Sequence, residues 1–551
     1  MTPNQTNAEV RDVVIIGAGF AGIYLVHKLR DGLGLDVAVF ERGDGVGGTW
    51  YWNRYPGARC DVESMFYCYS FDEKLQEEWE WTERYPAQPE ILRYANHVAD
   101  RYDVRRSMVF STAVTRASYD ELTQLWCIQT DDGVTTQARY LITAVGCLSV
   151  PTKPMLTGLE DFRGELYYTG EWPHSPVNFA GKRVAVVGTG SSGIQAIPVI
   201  AEQAESLTVF QRTATFSAPA RNRPLTAEEQ AHTRENYRSL RESARHTRIG
   251  MVSEQPIGAG EDVDQTQLRT ELERRWWRNG LAITGTLQDT LTSLESNGII
   301  AQFVRDKIHE IVDDPAVARL LEPHDYPIGT KRLAIDTNYY ASFNRPNVSL
   351  VSIRQTPIET FTKDGLIVAG REYEFDVVVL ATGYDAMTGA LEGIEITGVG
   401  GHTLKSAWAE GPKTYLGLSV HGFPNMFTIT GPGSPSVMSN MIVSIEQHVE
   451  WTTNYIAYLD TNGIRASHPS VEAQEQWVET VNHLAEATLF PSAASWYMGA
   501  NVPGKPRVFM PYLGGVGTYR ALCDEIAASG YTGFQHTEAP VDSRVFAEEI
   551  A

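Results

Sequence analysis

The sequence predicts an α/β fold with two Rossmann-like units and a helical insertion. Three observations support this prediction. A short β-branched strand, a glycine-rich turn and a helical pattern follow one another near the start of the chain, and the same succession recurs around residue 188. A third apolar strand, in residues 376–385, ends in Ala-Thr-Gly. Uninterrupted apolar strands of this kind are typical of parallel sheets covered by helices on both faces.

The first unit begins with the strand VVII and the turn GAGFAG, and its second strand ends at Glu41. Gly17, Gly19 and Gly22 allow backbone N–H groups and a helix N-terminus to approach a pyrophosphate. The acid at the end of the second strand can accept hydrogen bonds from both ribose hydroxyls. Tight turns also use glycine, but the flanking strand, the helix and Glu41 together favour a dinucleotide site.

The second unit contains the turn GTGSSG and carries the opposite charge at the end of its second strand. Arg212 stands at the same distance from Gly188 as Glu41 does from Gly17. An acid at this position repels a 2′-phosphate, whereas an arginine pairs with one. We therefore expect FAD or NAD at the first turn and NADPH at the second. The alternative for Arg212 is a solvated strand end.

The order of these elements predicts a split first domain. The segment LITAVG resembles a first crossing between domains, and the Ala-Thr-Gly strand resembles the returning strand of two-dinucleotide-binding-domain flavoproteins. The charged helical patterns between them predict an insertion that covers the active site. The predicted boundaries are residues 1–147 and 382–551 for the FAD domain, 148–221 and 327–381 for the NADPH domain, and 222–326 for the helical insertion.

Composition excludes several classes of function. The net charge of −22 argues against a general nucleic-acid binder, which needs a basic face. No apolar run reaches the roughly 20 residues that span a bilayer, so we expect no membrane partner. Five cysteines without a CxxC motif suit a reducing, cytoplasmic location, and no Cys/His spacing predicts a metal site. The sequence gives no indication of oligomeric state.

Two segments narrow the chemistry. Residues 47–61, GGTWYWNRYPGARCD, resemble the signature of type I Baeyer–Villiger monooxygenases. Residues 162–173, FRGELYYTGEWP, resemble the second fingerprint of that family, F-x-G-x-x-x-H-x-x-x-W-P, with Tyr168 at the histidine position. The resemblance covers almost the whole chain and is closest to the phenylacetone and steroid monooxygenase branch, through the motifs NRYPGARCDVES, GTGSSGIQ, WAEGPKTYLGLS, GPGSPSVMSNM and SWYMGANVPGKPRVFM.

The resemblance implies a reaction. In this family NADPH reduces FAD, reduced FAD takes up O2 to form a C4a-peroxyflavin, and the peroxide attacks a ketone carbonyl. Migration of one carbon gives an ester or lactone, while NADP+ stays bound during oxygenation. The protein must stabilise a negative peroxide, polarise a carbonyl and exclude water. The implied substrate is a small-molecule ketone of aryl, cyclic or bulky type.

The resemblance also assigns residues to each task. Arg332 is expected to steady the negative charge, and Asp61 to orient it, because a buried arginine needs such a partner. The expected FAD contacts are Gly17, Gly19, Gly22, Glu41, Gly48, Thr49, Trp50, Asp61, Tyr67 and Met441. The expected NADP contacts are Arg59, Gly188, Thr189, Gly190, Ser191, Ser192, Gly193, Gln195, Gln211, Arg212, Thr213, Lys331 and Trp496. The expected pocket residues are Cys147, Leu148, Val437 and Met438.

Several alternatives stay open at this point. Trp50, Tyr67, Met441 and Trp496 could be plain core residues, since aromatic rings and methionine also fill cores. Tyr168 keeps a ring and a hydrogen-bonding group but loses a possible positive charge, and we expect the protein to tolerate it. The other view of Tyr168 is a damaged hinge that loses peroxide as H2O2. A flavin N- or S-monooxygenase and a non-oxygenating NADPH:FAD reductase remain as other functions.

Overall fold

Two sheets organise the chain. The computed structural model describes residues 10–278 and 280–538. Its strands are β1 Val10–Ile16, β2 Val37–Phe40, β3 Met108–Val109, β4 Val114–Asp120, β5 Leu125–Thr130, β6 Thr135–Thr143, β7 Glu165–Tyr168, β8 Arg183–Val187, β9 Ser206–Gln211, β10 Ser217–Pro219, β11 Ala334–Asp336, β12 Val348–Ser352, β13 Ile358–Thr362, β14 Gly365–Val368, β15 Arg371–Glu374, β16 Val377–Leu380, β17 Glu395–Thr397, β18 Met426–Thr428, β19 Ile464–Pro469 and β20 Phe534–Glu538.

The first sheet has eight strands in the order β17-β4-β5-β6-β1-β2-β3, with β18 also paired to β6. Strand β1 lies between β6 and β2 and runs parallel to both. Its residues Val13, Val14 and Ile15 are completely buried, as expected for a parallel strand covered on both faces. The strands β4, β5 and β6 pair antiparallel. The sheet thus draws its strands from residues 10–143 and 395–428.

The second sheet is entirely parallel, in the order β12-β9-β8-β16-β7. Its strand β16, which lies between β8 and β7, is the one that ends before Ala-Thr-Gly, and its four residues are all buried. The small antiparallel sheet β13-β14-β15 packs its apolar residues against the same strands. These two sheets confirm the predicted α/β fold.

Helices cover both sheets. They are α1 Phe20–Val26, α2 Thr49–Trp52, α3 Glu73–Glu78, α4 Gln88–Arg101, α5 Ser191–Gln203, α6 Ala227–His246, α7 Gln265–Arg278, α8 Leu294–Ile311, α9 Pro315–Leu321, α10 Tyr339–Ser342, α11 Gly389–Glu392, α12 Leu404–Ala407, α13 Met441–Thr461, α14 Val471–Glu486 and α15 Val516–Ala528. The longest, α13, is buried along most of its length and packs on α1. Among the described residues, no helix is long and apolar enough to cross a membrane.

Helix α6 begins the helical region between β10 and β11. A capping box holds its N-terminus, because the Thr226 side chain accepts the Glu229 N–H and the Glu229 carboxylate accepts the Thr226 N–H. The helix packs on α3 and α15, whose buried residues belong to the same core cluster as those of β1. Between α6 and α7, the carbonyl of Ile249 accepts a 2.8 Å hydrogen bond from the backbone of Asn440 at the start of α13.

Candidate active site

The first glycine turn is held by close backbone contacts. Gly17 has a φ of +106°, and a Cβ there would lie 2.6 Å from the Ala144 carbonyl oxygen. A Cβ on Gly22 would lie 2.0 Å from the Gly17 carbonyl oxygen. Helix α1 begins after Gly19, which has no side chain to cap it. Its first N–H groups therefore face outward from the turn, as a pyrophosphate requires.

Glu41 closes this turn from the end of β2. One carboxylate oxygen accepts the Ala18 N–H at 2.8 Å and the other accepts the Gly43 N–H at 2.7 Å. Only 7% of the residue is exposed, and burial raises its pKa against the effect of these hydrogen bonds. Each oxygen still has a free lone pair for a ribose hydroxyl. The turn and the acid fit the adenosine half of FAD.

A second backbone segment faces the turn. Gly48 has a φ of +54°, and a Cβ there would lie 2.9 Å from the Gly19 Cα. Helix α2 follows with Thr49, and its Trp50 indole donates a 2.9 Å hydrogen bond to the Tyr67 hydroxyl. Both aromatic residues are buried in the core of the first sheet. The predicted FAD residues of the two segments thus lie together around one turn.

The second glycine turn repeats the geometry but is more open. Gly188 has a φ of +110°, and a Cβ there would lie 2.4 Å from the Ala381 carbonyl oxygen. A Cβ on Gly193 would lie 2.3 Å from the Gly188 carbonyl oxygen. A Cβ on Gly190, by contrast, would meet nothing within 4 Å in the described part of the chain. Helix α5 starts there at Ser191, so its N-terminus borders free space that a dinucleotide phosphate fits.

Two cations lie beside this turn. Burial lowers the pKa of Lys331, and the positive charge of Arg212 lowers it further. Within residues 10–278 and 280–538, neither side chain has a carboxylate at ion-pair distance, and the Lys331 ammonium lies 4.5 Å from the Tyr326 ring centre. Two cations that repel each other fit a site that receives a phosphate. Nearby, Thr189 donates to the Thr213 carbonyl at 3.0 Å, and the Gln211 amide donates to the Leu320 carbonyl.

Helix α5 also joins the two sheets. The Tyr55 hydroxyl donates to the Gln195 side chain at 2.9 Å, and the Gln195 amide donates to the Arg59 carbonyl at 3.1 Å. Ser192 contacts the hydroxyl of Tyr55 as well. The Arg59 guanidinium pairs with Glu83 at 2.9 Å, so its charge is already compensated. Gln195 and Arg59 therefore serve the contact between the sheets, whatever else they bind.

Arg332 and Asp61 form the centre of the site. The Arg332 Nε and Nη2 donate to one Asp61 carboxylate oxygen at 2.9 and 2.6 Å, and its Nη1 donates to the Val437 carbonyl at 2.8 Å. The Asp61 charge raises the pKa of Arg332, which therefore stays cationic. Tyr497 lies against the same guanidinium, and burial raises the pKa of its hydroxyl. The pair was predicted, whereas Tyr497 and the Val437 carbonyl were not.

One apolar cluster unites six of the predicted residues. Two of them, Cys147 and Val437, are buried in the cluster beside Tyr497. The other four pack on its margin: Leu148, Met438, Met441 and Trp496. The Cys147 thiol donates to the Thr430 carbonyl at 3.1 Å, and burial raises its pKa, so it is not a thiolate. Other members that the sequence did not indicate include Phe490, Phe509 and Met510 from the C-terminal segment, and Ala386 and Met387 from the segment after β16.

Tyr168 ends the edge strand β7 of the second sheet. Its ring is half-buried, and the Lys153 ammonium lies 5.4 Å from the ring centre. Lys153 also pairs with Glu171 at 2.6 Å. Trp172, the next aromatic residue of this segment, is buried against Tyr167 and Phe179. The aromatic residues therefore anchor the segment that precedes the second glycine turn.

Two further cysteines near the site are inert by their surroundings. Cys60 and Cys68 are free and buried, and burial raises the pKa of both thiols. No group of three or more His, Cys, Asp or Glu side chains in the described ranges could hold a metal ion.

Comparisons with known proteins agree on one relationship. A family model described as pyridine nucleotide-disulphide oxidoreductase matches residues 14–301. The chain is 42% identical over 524 residues to a Baeyer-Villiger monooxygenase of Pseudooceanicola batsensis, covering 95% of each protein. It is 40% identical over 526 residues to a cyclohexanone 1,2-monooxygenase of Acinetobacter sp, covering 95% of this chain and 96% of that one. A phenazine N-monooxygenase of Lysobacter antibioticus shows the same 40% identity and the same shares of coverage.

Two solved structures extend the likeness to the whole fold. Oxidized steroid monooxygenase bound to NADP has a TM-score of 0.92 and 49% sequence identity, covering 96% of this chain and 100% of that one. The crystal structure of OTEMO in complex with FAD and NADP has a TM-score of 0.93 and 40% sequence identity, with the same coverage of both chains.

Proposed function

Because this chain belongs to the type I Baeyer–Villiger monooxygenase family, we propose that the Arg332–Asp61 pair and the apolar cluster beside it form its oxygenation centre. The protein is an FAD-dependent monooxygenase that consumes NADPH and O2 and converts ketones to esters or lactones. The observation that carries the proposal is the guanidinium of Arg332, fixed by Asp61 and by the Val437 carbonyl at the edge of that cluster.

The first glycine turn is proposed to hold FAD. Gly17, Gly19, Gly22 and Gly48 leave the backbone close enough to receive the pyrophosphate, and Glu41 is placed for the ribose. When bound, FAD accepts a hydride from NADPH and activates oxygen. Further proposed contacts are Thr49, Trp50, Asp61, Tyr67 and Met441.

The second turn is proposed to hold NADPH through its whole glycine loop. We propose that Arg212 and Lys331 bind the 2′-phosphate, which would favour NADPH over NADH. The other proposed contacts are Arg59, Gly188, Thr189, Gly190, Ser191, Ser192, Gly193, Gln195, Gln211, Thr213 and Trp496.

Arg332 is proposed to stabilise negative charge without supplying a proton. A guanidinium stays protonated at every working pH, and Asp61 holds it in place. Two of its nitrogens bond the carboxylate and one bonds the Val437 carbonyl, which leaves further N–H groups for an oxyanion. Removing one such donor in other enzymes costs roughly 100- to 1,000-fold in rate.

The substrate is a small-molecule ketone, and we propose one of aryl, cyclic or bulky type. Cys147, Leu148, Val437 and Met438 belong to a cluster rich in methionine and aromatic side chains, which adapts to large apolar bodies. The likeness to the steroid monooxygenase structure supports the same size class.

We also propose the domain division predicted from the sequence. The strands of the first sheet fall within residues 1–147 and 382–551, and those of the second fall within 148–221 and 327–381. The insertion, residues 222–326, packs on α3 and α15 through α6 and reaches the start of α13 through the Ile249 carbonyl. Because the loop before α13 carries Val437 and Met438, the insertion is placed to cover the pocket.

Oxidation at nitrogen or sulfur is a less supported alternative. The phenazine N-monooxygenase of comparable identity is the observation in its favour. Sulfoxidation alone would discriminate poorly, because enzymes that oxygenate ketones can also oxidise sulfides. An aromatic N-heterocycle offered in place of the ketone is the better probe, since it contains no carbonyl to oxidise.

The test is isotopic. The FAD-loaded protein is incubated with NADPH, 18O2 and either cyclohexanone or phenylacetone, and the product is analysed by mass spectrometry. We expect an ester or lactone with a single 18O atom, and none when NADPH is omitted. Consumption of NADPH that yields only H2O2 with both ketones, together with N-oxide formation from phenazine, would contradict the proposal.

A further inference from the structure

Thr430 begins the loop that leads to the active-site cluster, and its backbone is unusual. It follows β18 and has a φ of +58°, in the left-handed region that β-branched residues rarely adopt. Only 4% of the residue is exposed, so water does not stabilise its backbone groups. A residue in this conformation persists only where its surroundings hold it there.

His448 supplies the contact that holds Thr430. The backbone N–H of Thr430 donates to the His448 Nδ1 at 2.9 Å. His448 lies on α13 and is completely buried, and burial lowers its pKa to about 3, so the ring stays neutral. With Nδ1 as the acceptor, Nε2 carries the hydrogen. The bond to Thr430 is the only hydrogen bond of this ring among the residues that the structure describes.

The other side of Thr430 leads to the proposed oxygenation centre. Its carbonyl accepts the Cys147 thiol at 3.1 Å. Further along the loop, the Val437 carbonyl accepts the Arg332 Nη1 at 2.8 Å. The fixed backbone of Thr430 therefore sets the start of this loop. The end of the loop orients the Arg332 guanidinium and carries two pocket residues, Val437 and Met438.

We propose that His448 is a positioning residue for oxygenation: its neutral Nδ1 holds Thr430 in the left-handed conformation and thereby sets the loop that orients Arg332. This inference rests on the role proposed for Arg332. It predicts a selective defect, because the glycine turn and Arg212, both assigned to NADPH, lie at strand ends of the second sheet, and no hydrogen bond joins them to this loop in the described part of the chain. Hydride delivery should survive the loss of His448, while ester formation should not.

A matched pair of substitutions tests the proposal in the full-length, FAD-loaded protein. His448→Asn keeps an acceptor at the position of Nδ1, whereas His448→Gln moves it to the position of Nε2. The two measurements are the rate of flavin reduction by NADPH without oxygen, and the ester formed per NADPH with cyclohexanone and phenylacetone. We expect His448→Gln to lower ester per NADPH about tenfold with unchanged flavin reduction, the size of one lost hydrogen bond, and His448→Asn to recover most of it.

A second substitution tests the cause. Glycine adopts a positive φ without strain, so Thr430→Gly no longer needs to be held. We expect the double variant Thr430→Gly/His448→Gln to regain ester formation over His448→Gln alone. Equal ester yields for His448→Gln and the wild type overturn the proposal. So does a parallel fall in flavin reduction, or a failure of His448→Gln to retain FAD, because either result marks a general structural role.

Arg332→Ala, measured in the same series, separates the two levels of inference. If that variant still makes ester at the wild-type rate, the role of Arg332 fails whatever the His448 variants do. If it loses ester formation while the Gln and Asn variants at His448 behave alike, only the inference about His448 fails.

Discussion

Lys331 and Arg332 are neighbours in the chain, yet their charges have opposite surroundings. Arg332 is fixed by Asp61 and by a carbonyl, and Asp61 raises its pKa. Lys331 has a pKa that is lowered by burial and then by another cation, Arg212. One segment can therefore serve two sites. A cation that the protein already pairs can be oriented for chemistry, whereas a cation left unpaired is free to receive the phosphate of a ligand.

The largest expected effect comes from removing the paired cation. Arg332→Ala should lower ester formation by roughly 100- to 1,000-fold, because it removes a preorganised donor at the site of negative charge. Flavin reduction by NADPH should stay within about threefold of the wild-type rate. The loss of one hydrogen bond needed for that step would already slow it about tenfold. Stopped-flow reduction and product analysis measure the two halves. Arg332→Lys is the control, and it should recover little, because an ammonium lacks the planar fork.

Removing an unpaired cation should give a smaller and different effect. Arg212→Ala should raise the KM for NADPH about 10- to 100-fold, the size of one charged hydrogen bond, and leave the KM for NADH nearly unchanged. Steady-state kinetics with both cofactors, at a saturating ketone concentration, measure this. A similar rise for NADH would contradict the phosphate role, since NADH has no 2′-phosphate.

The affinity for NADPH should also depend on pH through Lys331. Burial and Arg212 lower the pKa of Lys331 below its usual 10.5, so the lysine loses its proton at a lower pH than a free lysine does. We expect the affinity for NADPH to fall as the pH rises toward 10.5, up to about tenfold, while affinity for NADH stays level. Lys331→Arg should abolish the fall. Without cofactor the sign reverses: stability should rise over the same pH window, because the folded state disfavours the charged lysine.

The smallest effect is expected outside both sites. Tyr168 ends an edge strand and contacts Lys153, and it keeps a ring and a hydrogen-bonding group in place of the family histidine. Tyr168→His should change ester per NADPH by less than about threefold, within the range of typical surface substitutions. A hundredfold gain in coupling would show instead that tyrosine damages the hinge.

The sequence predicted residues of the site in two ways, by local spacing and by family resemblance. The glycine turns, Glu41 and Arg212 follow from local spacing, because a strand, a turn and a helix place their residues without help from the rest of the chain. The positions of Arg332 and Asp61 required the family resemblance, since the two residues are far apart in sequence and meet only in the folded protein.

The parts that were missed depend on contacts between distant segments. The Val437 carbonyl bonds Arg332 through a backbone atom, which any residue possesses, so no residue type indicates it. Tyr497 stands next to Trp496 in the motif SWYMGANVPG, and that neighbourhood was the available indication. His448 lies within a helix buried on nearly every side, where a histidine looks like any other core residue until its partner is known.

The nesting of the sheets also has a consequence for biosynthesis. The second sheet needs β16 between β8 and β7, and the first sheet needs β18 beside β6. The first glycine turn therefore leaves the ribosome early. The sheet around it gains its last strand only after Thr428 has emerged, whereas all strands of the second sheet have emerged by Leu380. Pairings between such distant segments form slowly, and an incomplete parallel sheet exposes apolar edges. The domain that begins first thus finishes last, and its apolar strand edges stay uncovered during that interval.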